Sequence, residues 1–179
     1  MVKCALCALS ALTLFTTLVG CQPEGSDTNG SRQTLNGCEV DAYQADMLEQ
    51  VNAARATPRT CGDTDFPAAP ALNYQCDLNT AAARHSQDMA TNNFHSHTGS
   101  DGLKLKDRVN ATDYDWSTIG ENIAAGQRTV TAVMEDWLES EGHCKNIMND
   151  QFEHFGVSRA DNEAADLQRY WTQVFGDQR

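Results

Sequence analysis

A chain of 179 residues, 40% hydrophobic and 21% charged, has the composition of one globular domain with short flanking segments. Its formal net charge of −12 repels phosphate backbones, which excludes a nucleic-acid binder. The P-loop and the G-x-G-x-x-G, G-x-S-x-G and H-E-x-x-H signatures do not occur, so the standard nucleotide and hydrolase motifs are excluded too.

Residues 1–20 read as an export signal. Met1-Val2-Lys3 is a short basic start, and Cys4 to Val19 is an uncharged apolar run, shorter than a bilayer-spanning helix needs. Leu18-Val19-Gly20-Cys21 resembles a bacterial lipoprotein box, in which the Cys21 thiol takes a diacylglycerol and cleavage follows Gly20. The expected location is exported and membrane-anchored through that lipid. Gln22, where Asp would retain the protein at the inner membrane, directs it to the outer membrane if the source is a diderm bacterium. Residues 21–37 are rich in Gly, Ser, Asp, Asn and Gln and read as a lipidated start with a flexible tether; the domain is expected at 38–179. Cys4 and Cys7 leave with the signal, so Cys38, Cys61, Cys76 and Cys144 remain for two disulfides, with three connectivities open.

Val40, Tyr43, Met47, Leu48, Val51 and Ala54 form one stripe, predicting a helix over Asp41–Ala56 that Pro58 ends. Thr60 to Pro70 reads as a loop. A second helix is predicted over Asp77–Asn92, capped by Asp77, with Leu78, Ala81, Ala82, His85 and Met89 inward. His95 to Gly102 is turn-rich, Leu103–Asn110 is a short helix, and Asp113–Thr118 is irregular. A third helix runs over Val130–Ser140 and stops at Gly142, with one further turn at Cys144–Met148. Phe155–Arg159 and Tyr170–Phe175 alternate like half-buried strands of an antiparallel hairpin. Helices first and strands last predict an α+β fold, helices layered on an antiparallel sheet.

Five histidines carry the candidate chemistry. His85 lies on an apolar stripe and reads as a hydrogen-bonded core residue. His154 reads as a surface residue. His95 and His97 are two apart in a polar loop, a weak chelating pattern. His143 is placed beyond the third helix, where carbonyls converge.

In order and spacing, several stretches together resemble the CAP superfamily, also called the SCP domain, from about Tyr43 to Gly176. They are Val51-Asn-Ala-Ala-Arg55, His85-Ser-Gln-Asp-Met-Ala90, Phe94 through His97 to Gly102, and Gly120-Glu-Asn-Ile-Ala-Ala-Gly126. Trp137 follows, then Gly142-His-Cys-Lys-Asn-Ile-Met148, Phe155-Gly-Val157 and Tyr170-Trp-Thr-Gln-Val-Phe-Gly176. The resemblance implies a three-layer α/β/α sandwich with a cleft holding two histidines and two glutamates, which in some members bind zinc. By motif these are His97, Glu121 and His143, and the second glutamate position is Ser140, so the tetrad is incomplete. His97, Glu121 and His143 are the implied metal ligands, with Zn the candidate cofactor and water completing the shell. The resemblance also implies the disulfides Cys61–Cys144 and Cys38–Cys76.

No catalytic residue is assigned. The expected function is a non-catalytic cell-envelope binding module, a monomer, with an extracytoplasmic ligand or protein partner and the membrane reached through its lipid. The alternatives are a hydrolase with His143 or Glu121 as general base, and a lipid or sterol carrier.

Overall fold

The computed structural model describes residues 32–179; the signal, Cys21 and most of the tether lie outside the described residues. The elements are β1 (Gln33–Leu35), β2 (Cys38–Val40), α1 (Ala42–Arg55), β3 (Arg59–Cys61), β4 (Thr64–Phe66), β5 (Asn73–Tyr74), α2 (Cys76–Asn92) and α3 (Leu105–Asn110). β6 (Trp116–Ala125), α4 (Val130–Glu139), α5 (Glu141–Met148), β7 (His154–Asp161) and β8 (Arg169–Gln178) follow.

The end of the expected tether is structured. Asn36 and Gly37, at φ 50° and 84°, make the tight turn of a β1–β2 hairpin. Both central residues of such a turn need positive φ, and Asn-Gly supplies them. The expected loop after α1 likewise holds the β3–β4 hairpin, turned by Gly62 at φ 61°.

The main sheet has the order β5-β7-β8-β6. β7–β8 and β6–β8 are antiparallel, with Phe155 opposite Phe175 and Glu121 opposite Val174; only the short β5–β7 contact is parallel. The predicted final hairpin is present, but β7 and β8 are buried on both faces rather than one. Trp171 and Phe175 join Met47, Val51, Met134, Trp137 and Ile147 of α1, α4 and α5. Val174, on the other face, packs with Leu78, Ala81 and Ala82 of α2 and Val109 of α3. Helices therefore cover both faces, and the result is the three-layer sandwich.

Gly156 explains the Phe-Gly-Val stretch of β7. A Cβ there would lie 2.2 Å from the Asn79 nitrogen and 2.4 Å from the Leu78 carbonyl carbon, so α2 rests backbone to backbone on the strand. Two helix signals differ from expectation, the cap of α2 and the stop at Gly142, while the end of the third helix is where it was expected. Gln75, not Asp77, caps α2, its side chain accepting the Asp77 N–H at 3.2 Å. The third helix stops at Ser140, whose extended backbone (φ −84°, ψ 120°) separates α4 from α5. Gly142 lies inside α5.

Arg55 is fully buried and holds α5 in place. Its guanidinium donates to the carbonyls of Pro70, Ile147, Asn149 and Phe152 at 2.7–3.2 Å. Burial pushes its pKa down to about 10, which leaves it charged at neutral pH. Both disulfides are formed, Cys38–Cys76 and Cys61–Cys144.

Candidate functional site

β6 was expected as irregular chain at its start and unassigned beyond; it is a ten-residue strand at one edge of the sheet. Side chains alternate along a strand, so Ile119, Glu121 and Ile123 face α2 and α3, while Asn122 and Ala124 face α4 and α5. The strand's outer carbonyls do not stay open. Asn146 Nδ2 donates to the Glu121 carbonyl at 3.1 Å, and Trp137 Nε1 donates to the Ile123 carbonyl at 3.2 Å. Covering an edge in this way blocks strand addition by another chain.

The site is built around Glu121, whose side chain is 3% exposed. Oε1 accepts from His97 Nδ1 at 2.8 Å, and Oε2 accepts from Arg108 Nη2 at 2.6 Å. Burial pushes the Glu121 carboxyl up, but the His97 hydrogen bond and the Arg108 charge outweigh it, and the net shift is downward. The carboxylate is therefore ionised at neutral pH and holds the His97 ring with its proton on Nδ1. Nε2 of that ring is the nitrogen not engaged by Glu121, on a side chain that is 60% exposed.

Arg108 escaped the sequence reading. It sits on α3 at the spacing of Leu105 and Val109, where a helix face needs apolar groups, and only that misplacement could have signalled it. It is buried, and it also donates to the Leu103 carbonyl at 3.1 Å.

His143 is brought to the same edge from the other face. It lies beyond the end of α4, as expected, but in the first turn of α5 rather than in a loop. Burial lowers its pKa, and the nearby His97 and His95 lower it further. His95 is held down by burial and by His97. Two amides lock α5 against β6. Asn122 Nδ2 donates to the His143 carbonyl at 3.2 Å and to Gln173 Oε1 at 3.1 Å. Asn146 Nδ2 donates to Asn122 Oδ1 at 2.8 Å. These amides set how far His143 stands from Glu121, and sequence reasoning named their motifs without their role. Ser140 sits at the α4–α5 junction, its carbonyl accepting the Cys144 N–H at 2.8 Å.

His85 is fully buried, and its Nε2 pairs with the Ser96 carbonyl at 2.9 Å. His154 is half-buried rather than on the surface, 3.0 Å from the Tyr114 hydroxyl through Nδ1. The cavity bounded by Arg128, Asp161, Leu167 and Arg169 contains neither a histidine nor Glu121, and Asp161 and Arg169 there are paired to each other.

A pH prediction follows from His85. Burial lowers its pKa below the ordinary 6.5. The unfolded chain then binds a proton that the fold refuses, so stability is full above pH 6.5 and falls as pH drops through that value. The loss ends once pH passes below the folded pKa. His95 and His143, also lowered by burial, add to the decline in the same direction. Chemical denaturation at pH 7.5, 6.5 and 5.5 should show the sum, and H85Q should remove the His85 share and leave the rest. Glu121 does not contribute in that window, because its pKa lies below its ordinary 4.5.

The layered sandwich and the edge site, with a glutamate-bound histidine and a second histidine near it, define a CAP domain. A family model described as the cysteine-rich secretory protein family matches residues 48–175, and the chain belongs to that family. The uncharacterized protein YkwD of Bacillus subtilis is 32% identical over 136 residues, covering 76% of this chain and 48% of its own. The chain thus spans about half the length of that relative. An extracellular protein containing a SCP domain from Bacillus anthracis superposes with a TM-score of 0.62 at 29% identity, over 76% of this chain and 40% of that one. An outer surface protein of Borrelia burgdorferi shares the fold at a TM-score of 0.58 and 16% identity, over 84% of this chain and 99% of its own.

Proposed function

We propose that the chain is an exported cell-envelope protein whose CAP domain is a binding module, with His97 and His143 as its recognition groups. One observation carries the reading: both Glu121 oxygens are engaged, by His97 and by the buried Arg108. A carboxylate held between two donors orients a ring rather than taking a proton from water itself, which supports His97 and His143, not Glu121, as the groups that meet a ligand. A covalent mechanism is disfavoured as well. Among the described residues no serine or threonine hydroxyl is hydrogen-bonded to the ring of His97 or His143, and the four described cysteines are in disulfides.

The exposed imidazole of His97 and the nearby imidazole of His143 are the groups that would hold zinc. Glu121 then sits behind His97 as an outer partner, the usual carboxylate–histidine arrangement. Bound zinc would supply Lewis acidity. The chain's own part is to fix the His97 ring and to hold His143 beside it.

The two disulfides support export, because such bonds persist in oxidising compartments. Lipidation at Cys21 adds anchoring at the outer membrane if the cell is diderm. C21S should move the protein from the membrane to the soluble fraction on fractionation; unchanged membrane association would count against the lipid.

The function is tested by elemental analysis and by turnover assays on peptide and cell-wall substrates, with H97A alongside. The binding reading expects no turnover. Turnover that disappears in H97A while the fold survives would establish the hydrolase instead. Zinc held stoichiometrically and lost in H97A would identify the metal as ligand.

A further inference from the structure

The chain between α2 and α3 presents His97; its side chains reach β6 through His95, bonded to the Ile123 backbone, and through His97 on Glu121, but its backbone has few anchors. Among the described residues, 95–98 make no backbone-to-backbone hydrogen bond; such bonds stop at Phe94 and resume at Gly99. His97 itself, 60% exposed on its side chain, gains little from packing. Three polar contacts remain on that backbone. Ser96 Oγ accepts the Thr98 N–H at 3.1 Å, within the segment itself. Arg108 reaches the His97 carbonyl, but both of its contacts are long, at 3.4 Å. His85 Nε2 meets the preceding carbonyl, of Ser96, at 2.9 Å. A hydrogen bond weakens steeply with distance, so the tighter external anchor is the histidine.

His85 is suited to that task. It projects from α2, a helix packed on β7 and β8, so it moves only with the core. Its ring stands edge-on to Phe94, centroids 6.3 Å apart, which steadies the start of the same segment. Its other nitrogen, Nδ1, is buried without a partner. A carbonyl only accepts, so the proton belongs on Nε2, and Nδ1 is left as an acceptor. A residue needed only to fill the core would be better served by an apolar side chain of like size, since an unpartnered buried nitrogen is costly.

We propose that His85 is a positioning residue: its Nε2–H holds the Ser96 carbonyl and thereby sets the His97 ring against Glu121. This deepens the reading of His97 as a recognition group and rests on it.

The test uses side-chain nitrogen NMR of the 15N-labelled protein at pH 7.5, with H85Q and H85F compared. In the wild type His97 should show one fixed tautomer, protonated on Nδ1. H85Q, whose amide can donate at the Nε2 position, should keep it. H85F, similar in shape but without a donor, should give a ring averaging between tautomers. A fixed His97 tautomer in H85F overturns the proposal, and so does equal loss in both variants. If H85F does not fold, the wild type still decides: His85 must carry its proton on Nε2, and finding it on Nδ1 overturns the proposal. Absence of zinc or ligand binding would leave these spectra unchanged and would count against the binding reading alone.

Discussion

R108A is expected to cost the fold about 3–5 kcal/mol, measured by urea unfolding at pH 7.5. The cost arises because Glu121, 3% exposed, would keep its burial and lose its cation. His97 is a poor substitute, since its side chain is 60% exposed and water screens it. The outer pair Arg84–Asp101, with both side chains nearly half exposed, provides the contrast, and R84A should change stability by less than about 1 kcal/mol.

The pH dependence adds a second readout. With Arg108 gone, burial acts on Glu121 with less opposition, so its folded pKa should rise. A raised carboxyl pKa stabilises below the unfolded value and loses that contribution as pH climbs. R108A should therefore close part of its gap to the wild type between pH 7 and pH 5. R108A/E121Q, with neither charge of this buried pair left, should recover part of the loss near neutral pH. An R108A protein within about 1 kcal/mol of the wild type would show that the pair does not organise the site.

The parts of this fold that were legible in the sequence are those with a repeating apolar pattern. The stripes of Met47, Val51 and Ala54, and of Leu78, Ala81 and Met89, point inward as their spacing predicts. The alternation in Tyr170–Phe175 marks β8, although its polar positions, Thr172 and Gln173, are buried too. β6 was not legible because Gly120, Glu121 and Asn122 all disfavour strands on propensity, and pairing with β8 overrides them. The small hairpins were missed because each strand has three residues, too few for a period to show. Asn36-Gly37 was the available signal for the first.

The site was legible only through motif resemblance. His97 and Glu121 do touch, and His143 stands near His97, but nothing in the spacing of positions 97, 121 and 143 says so. Arg108 and Arg55 were invisible for one reason. A charged residue is normally read as solvent-facing, and both are buried by partners far along the chain.

Removing the Cys61–Cys144 bond is expected to have a comparable effect, for a different reason. The bond closes a sequence separation of 83 residues, for which the chain-entropy view gives about 4.5 kcal/mol at 25 °C. The separation of 38 at Cys38–Cys76 gives about 4 kcal/mol. C61A/C144A should therefore unfold at lower urea than C38A/C76A, and both well below the parent. Residual native structure near the break should not reverse that order. Arg55 and Asn146 hold α5 independently of the disulfide, through the Ile147, Asn149 and Glu121 carbonyls. His143 should thus keep its place in whatever fraction of C61A/C144A remains folded. Its ring signals should match the parent's even as the melting temperature drops. A large loss of stability with His143 unmoved would assign the bond to the unfolded chain's entropy. Displaced His143 signals in the folded fraction would instead show that the bond itself aims the ring.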